Sequence, residues 1–581
     1  MKKPLLILFL LLITGFLPAQ IRLDPSQVQE ASVIPREMVF VHYNNSLIFT
    51  GEYIWYKLYT LDAESGNPGQ VSKVAYVELV GEDGTRVFKH KLKLERGTGR
   101  GDFFIPTTIP SGNYKLLGYT NWMLNGGEEN IFRGDVAILN PYRGDQSAIT
   151  PENDDEVISE GISAEDELET GNISGDLTLN IDRRTYASRQ KVLLKLDGDA
   201  EAAEGNYSVS VRRSETSVEP EMPGARNFRG LYKGFRLSSA EEIFLPELRG
   251  ELLTGRIVPA DNYAQVSVQN VRIALSIPGE DKVMKVAGTN SKGEFFFNID
   301  GDYSGTKAIL EPIGAEKERF KILLSETAAI EHVNLNFNKF YISPEMKEMI
   351  LERSVHNQIE NAYYSVKPDT LLISDLRRPF YEVQPIVYRL DDYTRFPTLR
   401  ETFVEITGEA FVRNIGGVPT VRVRPLEKAS VTDLPPLILV DGVVVQDHRV
   451  FLNIPAVEIE SIGLIRNNYY LGPQLFQGVL DVTTTAGNFH ERYTPPNAIS
   501  LDLDRPQPSK QYFKQVYDQS TNESIPDFRY QLLWQPTIEF IGSRAQIDFY
   551  TSDVKGTFEI RIEGFTRDGK PVSLRKTFRV E

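Results

Sequence analysis

The sequence predicts a mostly β protein, built from tandem small sandwiches and one small α+β domain. Short apolar or aromatic runs recur along its 581 residues between turn-forming segments, and the chain holds 43 Gly and 33 Pro. This spacing is typical of sandwich strands. Tyr and Phe, with 26 and 31 copies, are residues that strands favour. At roughly 150 residues per domain, the length allows about four domains.

Charge and cysteine content exclude several functions. The net charge is −16, so a nucleic-acid partner would be repelled. The sequence contains no Cys, which removes disulfides, thiolate metal ligands, cysteine nucleophiles and a lipidated N-terminal Cys. The lack of Cys leaves the redox compartment open, because it is compatible with either state.

The N-terminus has the pattern of a signal peptide. Two lysines follow Met1, an apolar run extends from Leu5 to Leu17, and Ala19 precedes Gln20. A retained membrane anchor is the alternative, but the run is shorter than the about 20 residues that span a bilayer. We therefore expect cleavage of residues 1–20, no transmembrane helix in the mature chain, and export to the periplasm or outer membrane of a gram-negative cell.

Residues 21–148 are expected to form the first β-sandwich. The segment resembles the second macroglobulin-like domain of large bacterial envelope proteins, which implies an immunoglobulin-like sandwich. Macroglobulins trap proteases through a Cys–Gln thioester, and that chemistry cannot occur without Cys. The matching motifs are Val41-His42, Gly51-Glu52-Tyr53-Ile54-Trp55-Tyr56-Lys57, Gly101-Asp102-Phe103, Ser111-Gly112-Asn113-Tyr114 and Tyr119-Thr120-Asn121-Trp122-Met123.

An acidic linker is predicted at 149–175. Nine carboxylates and no Lys or Arg lie between 151 and 170, and like charges extend a chain by repulsion. A loose calcium site and a partner-binding tail are the alternatives. Alternating apolar residues then predict a second, partial small sandwich at 176–215, and residues 216–247 are expected to form a loop.

Residues 248–336 are expected to form a further sandwich, followed by a helical bridge at 337–408. The turn Thr289-Asn290-Ser291-Lys292-Gly293, leading into Phe295, resembles the hairpin of carboxypeptidase regulatory-like domains. That resemblance implies a transthyretin-like sandwich without peptidase activity. In the bridge, Ser343-Pro344-Glu345 is a helix start. Leu351, Val355, Ile359 and Ala362 then lie on one helical face, expected to be core rather than a partner groove.

Residues 409–490 carry the pattern that indicates a partner. Ile415-Gly416-Gly417 and Asp441-Gly442 are hairpin signals between apolar runs. The hairpin at 436–445, the step Ile459-Glu460-Ser461-Ile462 and the strand at 478–484 resemble the plug domain of TonB-dependent outer-membrane transporters. The departure is 467–477, where a plug has a Gly-rich approach to its last strand. The resemblance implies a small α+β domain and an outer-membrane β-barrel protein, or its assembly or transport complex, as partner.

The remaining chain is too short for a transporter barrel. Such a barrel has about 22 strands of roughly 10 residues each, and 92 residues follow Phe489. The alternating runs of 491–581 predict a C-terminal β-sandwich instead. The sequence thus predicts a plug-like domain without its barrel.

We expect a non-enzymatic exported scaffold that docks on an outer-membrane β-barrel complex. None of the six His has zincin spacing, and no nucleophile elbow or phosphate loop occurs, so no catalytic, cofactor or metal site is predicted. An envelope hydrolase with dispersed acidic residues and a surface glycan- or protein-binding protein are the alternatives. Docking is expected at the loops 446–452 and 467–477, through Gln446, Asp447, His448, Asn467, Asn468, Tyr469 and Tyr470.

Overall fold

The structure is a computed structural model, and it is mostly β, as the sequence predicts. The predicted signal peptide and most of the acidic linker lie outside the described residues. Within those residues, no helix has the length and apolar character needed to cross a membrane. The described residues are 33–151, 173–174, 177–215, 219–232, 243–263, 265–300, 303–325, 330, 332, 335–372, 380–426, 433–517 and 525–581.

The first sandwich packs the sheet β1-β3-β6 on the sheet β2-β8-β7-β4-β5. Alternation along β3 turns Ile54, Tyr56 and Leu58 into the core between the sheets. The opposite face of the larger sheet is also covered, because Tyr76 and Leu117 lie in a second apolar cluster. The strands are β1 (Glu37–Tyr43), β2 (Leu47–Phe49), β3 (Tyr53–Asp62), β4 (Val74–Gly81), β5 (Arg86–Lys93), β6 (Thr98–Phe104), β7 (Gly112–Tyr119) and β8 (Phe132–Leu139).

The second sandwich corrects the predicted domain division. The segments 176–215 and 491–581 do not form two sandwiches, because their strands share the sheets β31-β12-β10-β9 and β11-β33-β32-β13-β30. Neither set of strands alone can bury its apolar face, and together they enclose one core. The elements are β9 (Ile173–Ser174), β10 (Leu177–Ile181), β11 (Thr185–Tyr186), β12 (Lys191–Gly198), α1 (Ala200–Ala203), β13 (Asn206–Arg213), β30 (Gln531–Gln535), β31 (Arg544–Tyr550), β32 (Gly556–Phe565) and β33 (Pro571–Val580).

The third sandwich packs β17-β14-β19 on β16-β15-β18-β28. The predicted turn at 289–293 is present: the Asn290 carboxamide oxygen accepts hydrogen bonds from the amides of Lys292 and Glu294, both at 2.9 Å. The last strand of this sandwich, β28, follows the mixed sheet in sequence and pairs with β18. The strands are β14 (Glu251–Pro259), β15 (Arg272–Ile277), β16 (Val283–Gly288), β17 (Glu294–Ile299), β18 (Lys307–Ile313), β19 (Phe320–Leu324) and β28 (Ile499–Asp502).

A mixed five-stranded sheet, β21-β26-β27-β24-β25, forms the fourth unit. Strands β24 and β27 are parallel, and the other neighbours are antiparallel. Both predicted hairpins occur, with positive φ at Gly416, Gly417, Asp441 and Gly442. The elements are β21 (Ile386–Arg389), α3 (Leu399–Glu405), β22 (Ala410–Ile415), β23 (Val418–Val423), β24 (Leu437–Val440), β25 (Val443–Val444), α4 (His448–Leu452), β26 (Ile459–Leu471), β27 (Gln474–Thr484) and α5 (Phe489–Arg492).

Helix α2 (Lys347–Ala362) connects the third sandwich to the mixed sheet, and it packs on the first sandwich with its polar face. Arg353, Ser354 and Asn357 are buried, whereas Leu351 is 65% exposed and Val355 is also exposed. The prediction that the apolar face is core is therefore wrong. The cause is the surface beneath the middle of the helix, where the Glu52 carboxylate and the Thr50 carbonyl accept from Arg353 and Asn357. Met349 and Ile350, nearer the start of the helix, pack on an apolar cluster of the first sandwich instead. A short strand pair follows, β20 (Thr370–Leu371) with β29 (Lys510–Gln511).

Arg353 is the centre of the contact between helix α2 and the two sandwiches. Its side chain is 3% exposed, and its Nε and Nη2 each donate to a different Glu52 oxygen at 2.8 Å. Nη2 also donates to the Leu47 carbonyl at 2.9 Å, and Nη1 lies 3.4 Å from the Glu215 carboxylate. The guanidinium carbon is 5.3 Å from the centre of the ring of Tyr530, the residue before β30. The Arg353 side chain thus contacts both the first and the second sandwich.

We expect Arg353→Ala to lower the free energy of unfolding by about 3 kcal/mol, because it leaves buried carboxylates without a counter-ion. Chemical denaturation followed by fluorescence measures the change. The matched control is Arg544→Ala, since Arg544 forms an exposed ion pair with Asp197 at 3.1 Å. The control substitution should lower the free energy of unfolding by less than about 1 kcal/mol. Equal losses in the two variants would contradict the role given to Arg353.

The pairing of remote strands can be tested with a cross-link. Lys195 on β12 lies directly opposite Gln546 on β31, and both are exposed. Because the chain has no Cys, the double substitution Lys195→Cys and Gln546→Cys should give one disulfide under mild oxidation. Non-reducing gel mobility reports the loop that it closes. Lys195→Cys with Arg575→Cys, on the other sheet, is the control and should remain reduced.

Candidate functional site

The Asp441-Gly442 turn is held by hydrogen bonds to the end of the mixed sheet. The Asp441 carboxylate is buried and accepts hydrogen bonds from the Thr484 amide at 2.8 Å, the Thr484 hydroxyl at 2.5 Å and the Phe489 amide at 3.0 Å. The turn is therefore tied to the end of β27 and the start of α5. Asp tolerates the left-handed backbone that this turn needs. The hairpin signal in the sequence thus has a structural role, and its side chain is not available to a partner.

The first predicted docking segment, 446–452, is occupied by contacts within the chain. The Gln446 amide donates to the Glu311 carboxylate and to the Pro312 carbonyl of the third sandwich. Asp447 caps helix α4 by accepting from the Arg449 amide at 2.8 Å. His448 Nδ1 accepts from the Val421 amide at 3.0 Å, and burial lowers the pKa of His448. These three side chains therefore make contacts within the chain, and their role in docking stays a prediction.

The second predicted segment, 467–477, is a hairpin rather than a loop. Residues Asn467 to Leu471 continue β26, and β27 begins at Gln474. A Cβ on Gly472 would lie 2.1 Å from the Val286 carbonyl oxygen, so the hairpin tip fits tightly against β16. The sequence of 467–477 does not alternate between polar and apolar residues, and Gly472-Pro473 is not a hairpin turn of the Asn-Gly type, so the sequence predicts a loop here rather than two paired strands.

The two tyrosines of this hairpin have different environments. Their side chains point to opposite faces, because they are neighbours in a strand. The Tyr469 ring lies edge-to-face on Phe380 with centroids 5.8 Å apart, and its hydroxyl donates to the Phe380 carbonyl at 3.0 Å. Tyr470 is 72% exposed, and Asn467 and Asn468 are exposed beside it. Of the predicted docking residues, these three remain accessible.

Glu311 is a buried acid at the junction of the third sandwich and the mixed sheet. Its Oε1 has no hydrogen-bond partner among the described residues, whereas Oε2 accepts from Gln446. Burial raises the pKa of Glu311 to about 7, with the Gln446 hydrogen bond opposing the shift. A small cavity of about 240 Å³ lies at the same junction, lined by apolar side chains that include Val286, Leu437 and Phe476. Neither feature places a nucleophile beside a base.

A second cavity, which sequence reasoning missed, lies where the first sandwich, helix α2 and the second sandwich meet. It has a volume of about 190 Å³ and is lined by aromatic and amide side chains. We call it the aromatic cleft. The sequence signal for it was the aromatic strand at 53–59, but the residues that complete the lining come from distant segments. Its rings are Tyr53, Trp55, Tyr364, Tyr512, Phe513, Phe528, Tyr530 and Trp534.

In the part of the chain that the structure describes, no group of three or more His, Asp or Glu is arranged to hold a metal ion.

No family model and no curated protein matches the chain. A Salmonella alpha-2-macroglobulin mutant shares 9% identity over 94% of this chain and 39% of its own, with a TM-score of 0.23. Escherichia coli alpha-2-macroglobulin activated by porcine elastase shares 10% over 94% and 44%, also at 0.23. The Yersinia pseudotuberculosis adhesin InvE shares 12% over 49% and 57%, at 0.13.

The chain spans about two fifths of the length of these macroglobulins. TM-scores this low carry no argument about the fold or the function of this chain. The resemblances to a regulatory-like domain and to a transporter plug stay predictions.

We expect Glu311→Gln to stabilise the protein increasingly as the pH rises. The folded-state pKa of about 7 lies above the ordinary 4.5, so the stability linked to the neutral acid is complete below pH 4.5 and is lost as pH rises through 7. The free energy of unfolding of the variant should exceed that of the wild type by under about 1 kcal/mol at pH 5 and by about 3 kcal/mol at pH 8. Denaturation midpoints at both pH values measure this difference.

Glu318→Gln is the control for that comparison, because Glu318 is an exposed acid of the same sandwich. Its stability should follow wild type at both pH values. A constant difference between Glu311→Gln and wild type from pH 5 to pH 8 would contradict the assignment of a raised pKa.

Proposed function

We propose that the chain is an exported, non-enzymatic scaffold that docks on an outer-membrane β-barrel complex for protein assembly, secretion or TonB-type transport. The supporting observation is the open edge of the mixed sheet. Strand β21 pairs with β26 on one side and with no other strand among the described residues. Its Ile386 is exposed and Val387 is 53% exposed.

An edge strand of this kind is suited to a protein partner. Unpaired backbone groups along an edge are a template for another strand, and folded proteins usually protect such edges with charges or a covering loop. Here the edge carries the exposed apolar side chains of Ile386 and Val387 beside one charge, Arg389, and Val383 is also exposed ahead of the strand. The exposed Tyr470 lies further along β26 and adds an aromatic ring with a polar tip. Exposed apolar surface next to an open edge favours docking.

The motifs of the mixed sheet support the class of partner. The Pro436-to-Val445 hairpin and the strand at 478–484 resemble a transporter plug, which implies a β-barrel neighbour. In this chain the core of that sheet is already filled, because β24 and β27 pack against the third sandwich and helix α4. A partner would therefore contact the edge and the hairpin, rather than enclose the whole domain.

The hydrolase alternative has no comparable support. The buried acids Asp527 and Glu563 and the half-buried Glu52 each lie against an arginine, at 2.6, 2.7 and 2.8 Å respectively. Paired charges of this kind hold a fold together, and a general acid or base instead needs an accessible carboxyl with a pKa near the working pH.

We expect Tyr470→Ala to reduce recovery of outer-membrane barrel proteins about fivefold to thirtyfold, as loss of an interface anchor does. Stability should not change, because the side chain is exposed. Tagged protein is purified in mild detergent, and partners are quantified by mass spectrometry. Tyr142→Ala, an exposed tyrosine of the first sandwich, is the matched control and should recover as much as wild type.

Val387→Lys tests the edge strand in the same assay and should act like Tyr470→Ala. Recovery of no barrel protein by the wild type would refute the proposed function. Normal recovery by both variants would show that docking uses another face.

A further inference from the structure

The aromatic cleft is built on the outer face of β3. Residues 53, 55, 57 and 59 share that face, because side chains alternate along a strand. The second sandwich covers its far end, where the Tyr59 hydroxyl bonds Ser208 at 2.8 Å and Lys57 bonds Asn206. The second sandwich does not cover Tyr53 and Trp55, and at these residues the cleft opens between β3, helix α2 and β30. The rings of Tyr53 and Trp55 therefore do not join the two sandwiches.

The rings at the open end form a platform and a wall. Tyr53 and Trp55 are 13° from parallel with centroids 5.5 Å apart, and Tyr53 and Tyr364 are 16° from parallel at 6.1 Å. The Tyr53 hydroxyl donates to the Tyr364 oxygen at 3.1 Å, which fixes the second pair. Tyr512 stands at 82° to Trp55 and closes one side. Tyr364 is 47% exposed, so the platform is accessible to solvent.

The cations that line the cleft are each paired with a carboxylate. Arg353 is paired with Glu52, and Lys367 lies 2.7 Å from Glu360. The other three cations pair with Glu219, Glu352 and Asp527. Among the described residues the cleft therefore has no unpaired cation to attract an anion, and its carboxylate outside an ion pair, Asp369, favours a ligand that donates hydrogen bonds. The cavity is also smaller than the roughly 300–1,000 Å³ of drug-sized sites, so it admits a small ring rather than a folded partner.

Polar groups remain that a hydroxylated ligand could satisfy. Trp534 lines the cleft and is buried, and its indole N–H has no acceptor among the described residues; the same is true of the Trp55 indole. An unmade hydrogen bond at a buried donor is costly, and a ligand oxygen would remove that cost. Asp369 accepts from the Phe513 amide through one oxygen, at 2.9 Å. Its second carboxylate oxygen can accept from a ligand hydroxyl.

We propose that the aromatic cleft binds a neutral saccharide. A sugar ring offers C–H faces that stack on Tyr53, Trp55 and Tyr364, and hydroxyls that pair with the Asp369 carboxylate and, further inside, with the buried indole N–H groups. The proposal is independent of barrel docking, because the cleft and the mixed-sheet edge share no residue. A proline-rich peptide also binds aromatic grooves, but it needs an extended groove rather than a cavity of about 190 Å³.

Tryptophan fluorescence of the mature full-length chain provides the test. The chain has three Trp, of which Trp55 and Trp534 line the cleft and Trp122 is buried in the first sandwich. The probes are hexamers of β-1,4-glucose, β-1,3-glucose, α-1,4-glucose, α-1,6-mannose and β-1,4-N-acetylglucosamine, up to about 10 mM, which detects millimolar binding. At least one should change the emission saturably, and calorimetry should give the same Kd.

Tyr364→Ala should weaken that Kd about threefold to tenfold, the worth of one aromatic stacking contact. Tyr364 is exposed, so this variant keeps the fold; Tyr142→Ala is the matched control and should bind as wild type does. A hexaproline peptide is tested in parallel. Binding of hexaproline without any saccharide, no response to any probe, or saccharide binding unchanged in Tyr364→Ala would each overturn the proposal.

Discussion

The architecture depends on one constraint, the closure of the second sandwich by strands from two distant parts of the chain. Strand β13 lies between β32 and β30, and β12 lies between β10 and β31. The segment between residues 214 and 530 must therefore begin and end at the same edge. After the mixed sheet, the chain runs back along the elements that it formed earlier. Strand β28 pairs with β18 of the third sandwich, and β29 then pairs with β20. The domains are nested, not strung in sequence order.

Buried polar groups, beside the ring contacts that Phe565 makes with Phe40 and Tyr59, define how the first two sandwiches meet. His42 Nδ1 lies 2.7 Å from the Ser208 hydroxyl, and the Lys57 ammonium bonds Asn206 and the Pro536 carbonyl. Burial holds the pKa of His42 and that of Lys57 well below their ordinary values. Buried polar contacts are costly unless each is matched, so they permit one relative position and penalise others. Arg353 extends the same principle to helix α2.

Local signals in the sequence predicted local structure well. Asp441-Gly442, Gly416-Gly417 and the turn at Asn290 all form where turn chemistry places them, since the positive φ that they require depends on the residue itself. Period-two alternation also identified the strands. Alternation gives the buried face of a strand but not its neighbour, so the shared sandwich of 177–213 and 531–580 was missed. Helix α2 shows the same limit: periodicity found its apolar stripe, while the oxygens of Glu52 and Thr50 decided which face is buried.

The nested order has a consequence for how the chain acquires its structure. During synthesis, β12 and β13 emerge more than 300 residues before their partners β30 to β33. At 5–20 residues per second, that interval is roughly 15–60 s, long compared with the formation of a hairpin. Throughout it, two apolar strands have open edges that any other unpaired strand can join. Pairing between strands so far apart in sequence is slow. The period before the second sandwich closes is therefore the one in which the chain is most prone to aggregate. A holdase that binds extended apolar segments would act during that period.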